Sequence, residues 1–348
     1  MVAMAEAYDL TCVIHVHSTY SDGTGTVPQI ARAAARAGVD VVLLTDHDTL
    51  EARRRGEERW YGDVLVLVGE EVSPTDRDHF LAFGIEREIG RRLSGPEICR
   101  AVEDAGGFGF AAHPFSRGSQ RFRRPGIAFG ELDCVEGVEL WSFLNDTGER
   151  VRGFADLARM IITPQAAIGR PPEGNLREWD RLCAARRVVA IGGLDAHQFG
   201  VRIAGRVPLR LMSYKRSFKQ LHTHVLCERA PTGELEHDRS LVYEGLRQGR
   251  CYIAVDALAP ARGFAFWADG AGGRVEMGGE ASATGGQTLH ARLPRPAHVR
   301  LLRDGREVSA ADPADGLDHE IDAAGVYRVE AELGGRTWLL SNPIYLRS

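Results

Sequence analysis

A chain of 348 residues, 44% hydrophobic and 26% charged, can bury a large core and is long for one domain, so a main domain with a smaller companion is expected. A net charge of -5 and a pI near 6.2 exclude an overall basic field, which disfavours nucleic acid and anionic membrane and leaves a small molecule as the expected partner. The opening MVAMAEAYDLT lacks a signal-peptide pattern and no later run has the length of a membrane span, so the cytoplasm is the expected location.

From about Leu10 to Ile203, short apolar runs alternate with amphipathic segments, as in strand-helix units around a parallel sheet. The runs LTCVIHVH, VDVVLLTDHD, VLVLVGEE, HFLAFGI, GFGFAAHP, CVEGVELWS and VVAIGGLDAH predict strands; VPQIARAAARAG, GPEICRAVEDAGG, RVRGFADLARMI and LREWDRLCAARR predict helices. Pro28 and Pro96 stand near helix starts, where a missing N–H is harmless, and Gly38 and Gly106 just past helix ends. Seven such strands predict an α/β fold, a barrel closed by parallel strands, spanning 8–256. The stretch at about 146–187 exceeds a simple crossover and is expected to wall or cover the site.

Beyond Tyr214, SFKQLHTHVL and SLVYEGLRQG read as helices. From 257 to 348 the chain turns Gly-rich and strand-like, with hairpin signals at Asp304-Gly305 and Gly334-Gly335. In GVYRVEAEL, Tyr327, Val329, Ala331 and Leu333 share one face and Arg328, Glu330 and Glu332 the other, which predicts a half-buried strand of a small antiparallel β-sandwich, an accessory domain.

Six widely spaced cysteines without a Cys-x-x-Cys pair argue against a zinc ribbon, an iron-sulfur site or a disulfide scaffold, and read as small buried hydrophobes in a reducing compartment. Lys215 and Lys219 are the only lysines among the 43 Lys+Arg residues, which disfavours lysine-dependent chemistry.

The chemistry concentrates where the strands run out. Every histidine of the first 200 residues (His15, His17, His47, His79, His113, His197) falls in one series with Asp22, Asp46, Glu71 and Asp195. His222, His224, His237, His290, His298 and His319 show no comparable grouping. In an extended strand residues two apart point the same way, so His15 and His17 can reach one ion, and the turn Ser21-Asp22-Gly23 can return a carboxylate to it. Taken singly, Asp22 reads as a turn residue, Asp46 or Asp48 as a helix cap and His113 as a packed histidine. Together, at one end of a barrel, such groups are costly to bury unless metal ions neutralise them. Imidazole and carboxylate donors suit Zn, Mn or Fe alike.

The ordered motifs His15-Val16-His17, Ser21-Asp22-Gly23, Thr45-Asp46-His47-Asp48, Gly69-Glu70-Glu71-Val72-Ser73, Ala112-His113-Pro114 and Gly193-Leu194-Asp195-Ala196-His197 resemble the PHP (polymerase and histidinol phosphatase) family. The resemblance implies a distorted barrel of seven βα units with two or three divalent metal ions for phosphoester hydrolysis. Trp179-Asp180, Thr223-His224-Val225-Leu226 and the tail Ser341-Asn342-Pro343-Ile344-Tyr345 look like its carbaryl-hydrolase-like branch, which widens the substrates to carboxylic and carbamic esters. By motif, His15, His17, Glu71 and Asp195 would hold one metal, with Asp22, His47 and His197 around a second. Glu71 rather than Glu70 would bridge. A third ion would draw on Glu71, His79 and His113, although after CVEGVELWS, where some relatives supply a histidine, this chain offers Glu139, Trp141 and Asn145. Asp46 is expected to orient a histidine.

Two metals would activate a bridging water and polarise the substrate, with Asp195 and Glu71 at the catalytic centre and no Ser or Cys nucleophile required. No Gly-x-Ser-x-Gly elbow or Walker-type loop occurs. Arg117 and Arg170 are the candidate phosphate grips, each competing with a surface reading in so arginine-rich a chain, and His224 is the candidate acid for the leaving group, competing with a packed role. The first expectation is a phosphoesterase acting on a small phosphomonoester or nucleotide. The alternatives are a metallo-esterase or carbamate hydrolase, whose apolar pocket would draw on Trp141, Phe143 or Trp179, and a non-catalytic metal- or ligand-binding module.

Overall fold

The computed structural model describes residues 7–74, 77–119, 124–198, 200–203, 206–210, 212–270, 272–283 and 286–348. It is a mixed α/β fold in which 18 strands join one hydrogen-bonded network. All seven apolar runs form strands. β1 (Tyr8–Val16) pairs in parallel with β2 (Val41–His47), and β2 with β3 (Val64–Val72). β3 is buried along its whole length, because a strand covered on both faces is apolar at consecutive positions instead of alternating.

β4 (Phe80–Phe83) corrects the all-parallel expectation, since it runs antiparallel to both β3 and β5 (Phe108–Ala111). A parallel neighbour needs a crossover of roughly a dozen residues or more, and the link 73–79 is shorter. β5 then pairs in parallel with β6 (Gly137–Ser142), and β6 with β7 (Val189–Gly193). Past β7 the chain returns to β1: Leu194 N–H donates to the Ile14 carbonyl at 2.9 Å and His17 N–H to that of Ala196 at 3.0 Å, so the circuit of pairs meets its start.

Among the helices α1 (Val27–Ala35), α2 (Gly95–Asp104), α3 (Phe143–Glu149), α4 (Phe154–Ile162) and α5 (Glu173–Ala185), all but α3 lie where the amphipathic segments predicted them, and α3 falls outside every predicted helix. Ser94 opens α2 with a capping box, its N–H donating to Glu97 Oε2 at 2.8 Å. Gly38 and Gly106 follow α1 and α2 with φ of 78° and 73°, the left-handed conformation expected past a helix end.

Residues 222–226 overturn the helical expectation for SFKQLHTHVL: after the one-turn helix Tyr214–Ser217 the chain forms β8 (His222–Cys227), antiparallel to β1 and to β9 (Cys251–Ala254). Two strand neighbours offer ladder partners on both sides, and that outweighs local propensity. Between β8 and β9, α6 (Leu235–Arg247) covers much of SLVYEGLRQG.

The C-terminal strands continue the network, with β9 antiparallel to the strand Arg336–Ser341. They include β10 (Ala265–Gly270), β11 (Thr288–Arg303), β12 (Arg306–Glu320), β13 (Gly325–Leu333), β14 (Arg336–Ser341) and β15 (Ile344–Arg347). Asp304 and Gly305 join β11 to β12 with φ of 51° and 75°, both left-handed as the two-residue hairpin requires. The pairing is not wholly antiparallel, because Glu280–Ser282 runs parallel to β15.

β13 departs from the half-buried pattern. Tyr327, Val329 and Ala331 face an apolar cluster, and the charged face is buried too. Arg328 donates to Asp180 Oδ1 on α5 at 3.0 Å and pairs with Glu330, while Arg300 reaches Glu330 and Glu332. Charge that solvent was expected to take is neutralised by a neighbouring helix and strand.

The cysteine expectation is corrected in part: Cys99 on α2 and Cys134 form a disulfide, whereas Cys12, Cys183, Cys227 and Cys251 are free and buried. A short helical turn, Leu132–Cys134, brings Cys134 to α2, and the pairing removes the cysteine argument for a reducing compartment. Among the described residues no helix is long and apolar enough to cross a membrane.

Candidate functional site

The ligand-type side chains converge beyond the ends of β1, β2, β3 and β7. Simple alternation along β1 does not explain how. His15 sits in a bulge, with φ of 66° and a register shift between Ile14 and Val16, and this turns its ring to the same carboxylate that His17 reaches. His113 and Asp195 also have positive φ, 32° and 50°. A non-glycine residue held there costs on the order of 1 kcal/mol, and three such residues fall in this one cluster.

Glu71 lies at the centre, fully enclosed. Its Oε2 is 3.1 Å from His15 Nε2, 3.3 Å from His17 Nε2 and 3.2 Å from His47 Nδ1. Its Oε1 is 2.8 Å from His79 Nδ1 and 3.4 Å from His113 Nε2. Asp195 Oδ1 lies 3.5, 3.4 and 3.4 Å from His15 Nε2, His17 Nε2 and His197 Nδ1. Asp22 Oδ1 completes the group, 3.0 Å from His197 Nε2, 3.7 Å from His47 Nε2 and 3.8 Å from His17 Nδ1.

The two adjacent glutamates separate by strand alternation. Glu71 enters the cluster, whereas Glu70 turns away and accepts the Ile89 N–H at 2.7 Å. Burial pushes the Glu70 carboxyl up to about 8, so it is largely neutral at pH 7.

The cluster is electrostatically tight. Burial alone would raise Glu71, but His15, His113 and His17 hold it well below the usual carboxylate range. Burial likewise opposes the ionised form of Asp195, and His197, His15 and His17 outweigh it. Burial would depress His17, yet Asp195 and Glu71 raise it to about 9. His47 is lowered, chiefly by burial.

These residues fit divalent cations. Both ring nitrogens of His17 are buried without a hydrogen-bond partner, and convergent imidazole and carboxylate atoms lie within metal-binding reach of one another in several overlapping groups.

Three supporting residues carried no assigned role in the sequence. Glu139 Oε2 lies 3.0 Å from His15 Nδ1 and accepts the His113 N–H at 2.7 Å. Gly193 permits this: a Cβ there would lie 2.0 Å from Glu139 Oε1. Asn145 Nδ2 donates to Asp195 Oδ2 at 2.9 Å, and Ser73 Oγ is 2.6 Å from His47 Nδ1. The resemblance implied a further ligand after the run CVEGVELWS, and that was the available signal for Glu139 and Asn145. Asp46 does not orient a histidine; it accepts from Ser18 N–H at 2.7 Å, Ser18 Oγ at 2.6 Å and Ser21 Oγ at 2.6 Å, and so fixes the loop that carries Asp22.

A cleft of about 430 Å³ opens onto the cluster, lined by Asp22, His47, Glu71, His79, His113, Asp195 and His197 on one side. Ile127, Leu144, Leu157, Met160, Ile161 and Met212 form much of the other. α3 and α4, in the long 146–187 stretch and just before it, supply four of those six. Trp141, Phe143 and Trp179, the expected apolar lining, are instead fully buried in the core.

The expected cations are not among the described lining residues. Arg170 donates to Glu332 Oε2 at 2.8 Å and to the Gly335 carbonyl at 3.2 Å. Arg117 is exposed, and its N–H donates to Glu149 Oε1 at 2.6 Å. His224 is also elsewhere: it is buried on β8 between Asp9, 2.8 Å from Nδ1, and Asp256, 2.9 Å from Nε2. Burial would lower it, but Asp256 and Asp9 raise it to about 9. With His222 and Asp256 it forms a second cluster, where no grouping was expected.

No protein-family model matches the chain. It is 27% identical over 148 residues to an uncharacterized protein of Methanocaldococcus jannaschii, a match covering 39% of this chain and 83% of that one. It is 42% identical over 81 residues to the phosphoribosyl 1,2-cyclic phosphate 1,2-diphosphodiesterase of Eggerthella lenta, covering 21% of this chain and only 30% of that relative's length. A solved two-domain structure from Bacteroides vulgatus, described as containing a predicted PHP-like metal-dependent phosphoesterase, aligns over 97% of this chain and 95% of its own with 16% identity and a TM-score of 0.44.

Proposed function

We propose that this chain is a metal-dependent phosphoesterase of the PHP type, in its carbaryl-hydrolase-like branch, acting on a small phosphoester with an apolar substituent. Residues 8–256 would form the distorted barrel, in keeping with the closed circuit of strand pairs, and 257–348 a sandwich-like accessory domain with its own apolar cluster. Glu71 carries this reading: one carboxylate faces five histidines, three at one oxygen and two at the other, on the floor of a cleft. The similarity to a diphosphodiesterase supports phosphorus chemistry.

His15, His17, Glu71 and Asp195 would hold one ion, and Asp22, His47 and His197 a second. His79 and His113 would hold a third through the other oxygen of Glu71. Such ions, when bound, supply Lewis acidity and lower the pKa of water to near neutrality. The chain's own residues do the rest. Glu139 and Asn145 hold His15 and Asp195 in orientation, Ser73 holds His47, and Asp46 fixes the Asp22 loop. The wall from Leu144 to Met212 excludes water and receives the apolar part of the substrate.

That apolar wall favours a second reading, a metallo-esterase or carbamate hydrolase on a neutral ester, because no described arginine or lysine lines the cleft. Turnover of p-nitrophenyl phosphate and p-nitrophenyl acetate by the metal-loaded protein and by Asp195→Asn separates them. Metal-dependent cleavage of the phosphate that the substitution abolishes is expected. Cleavage of the acetate alone supports the second reading, and equal rates with or without metal overturn both.

A further inference from the structure

His222, His224 and Asp256 border a separate cleft of about 480 Å³ that shares no lining residue with the first. The outer ring nitrogens of both histidines are committed as donors. The Phe218 carbonyl can only accept, so His222 Nε2 donates to it at 2.6 Å. Asp9 already accepts from Tyr252 Oη at 2.6 Å and from the Gly263 N–H at 3.0 Å, and His224 Nδ1 donates to it at 2.8 Å. The inner nitrogens, His222 Nδ1 and His224 Nε2, therefore aim at one oxygen, Asp256 Oδ2, at 2.7 and 2.9 Å.

Unless the inner nitrogens themselves carry protons, their lone pairs and that of Asp256 Oδ2 converge on one point, an arrangement that repels itself without a cation between them. Tying the outer nitrogen of each histidine to an oxygen is also how proteins orient ligand imidazoles. Asp9 and Asp256 together carry the charge that balances one divalent ion.

We propose that His222 Nδ1, His224 Nε2 and Asp256 Oδ2 bind a divalent transition-metal ion of the zinc class, separate from the Glu71 cluster, with its remaining position open to the cleft. Asp256 Oδ1 accepts the Ala261 N–H at 2.8 Å, so the ion ties β8 to the loop that leads from β9 into the C-terminal strands. This site is independent of the phosphoesterase reading.

The test is zinc stoichiometry of the full chain, loaded with zinc and freed of excess, for wild type, Asp256→Asn and Asp195→Asn, together with anomalous diffraction from zinc-saturated wild-type crystals. Asp256→Asn is expected to lose one zinc per chain, and the crystals to show a peak between His222, His224 and Asp256 that persists in Asp195→Asn. An equal zinc count in wild type and Asp256→Asn, or no peak at saturating zinc, overturns the proposal and assigns protons to the inner nitrogens. Should Asp256→Asn fail to fold, the wild-type crystals decide alone.

Discussion

Glu139 Oε2 lies 3.0 Å from Nδ1 of His15, which commits that nitrogen and leaves Nε2 facing Glu71. The same oxygen accepts the His113 N–H, so one carboxylate orients two parts of the cluster without joining the histidines around Glu71. Replacing it with an amide keeps the shape and removes the charge. Glu139→Gln is expected to weaken metal binding by about 10- to 100-fold while the circular dichroism spectrum is retained. Competition titration with a chromophoric chelator reads this directly, and an unchanged affinity would remove Glu139 from the site.

The adjacent glutamates should respond in opposite ways. Glu70 is largely protonated at pH 7, so Glu70→Gln resembles the form already present, and metal content and melting temperature should stay close to wild type. Glu71→Gln removes the charge that faces five histidines and should abolish both stoichiometric metal and turnover. Elemental analysis of the two variants, purified side by side, checks the contrast.

Asp146 gives the fold a pH dependence of its own. Burial first, with the nearby Glu139 and Glu149, raises its carboxyl from 3.8 to about 7 despite the Ser142 N–H. A folded value above the unfolded one means the native state holds the extra proton between those limits. Stability therefore falls as pH rises from about 4 towards 7, and the loss is complete above that. Each pKa unit corresponds to about 1.4 kcal/mol, so Asp146→Asn should stabilise the protein by a few kcal/mol at pH 8 and hardly at all at pH 4. Urea unfolding at the two pH values measures the difference.

The apolar wall of the cleft predicts a binding effect without a chemical one. Met160 is buried on α4 and lines that wall. Met160→Gln is expected to raise KM for an aryl phosphoester about tenfold, the scale of a lost methylene-sized contact, with kcat and metal content near wild type. Steady-state kinetics with p-nitrophenyl phosphate would show an unchanged KM if the wall does not meet the substrate.

Arg328 is buried and depends on Asp180 and Glu330. Asp180→Ala leaves that guanidinium with half its counter-charge and should destabilise the chain by about 3 kcal/mol, the range for a broken buried pair. Adding Arg328→Met to the Asp180→Ala variant should recover much of the loss in urea unfolding, because no unpaired charge remains.

His47, Glu71 and Asp195 were legible as candidate ligands because each follows an apolar run that only a strand accommodates, and the carboxyl ends of parallel strands face one way. β4 was misread in direction, although the short link before it carried the answer. β8 was misread as helix because its partners, β1 and β9, are remote in sequence.

Residue type and strand-ending position by themselves determined the α/β character and which histidines and carboxylates stand as potential ligands, since both follow from local periodicity and side-chain chemistry. Only the tertiary structure decided that His15 turns inward through a bulge, that Glu139 orients it, that Arg170 faces Glu332 instead of the cleft, and that His222 and His224 meet Asp256. Each of those relationships joins residues far apart in the chain or depends on a backbone irregularity. Neither leaves a period in the sequence, because the free energy that fixes them arises from packing and charge pairing in the assembled fold.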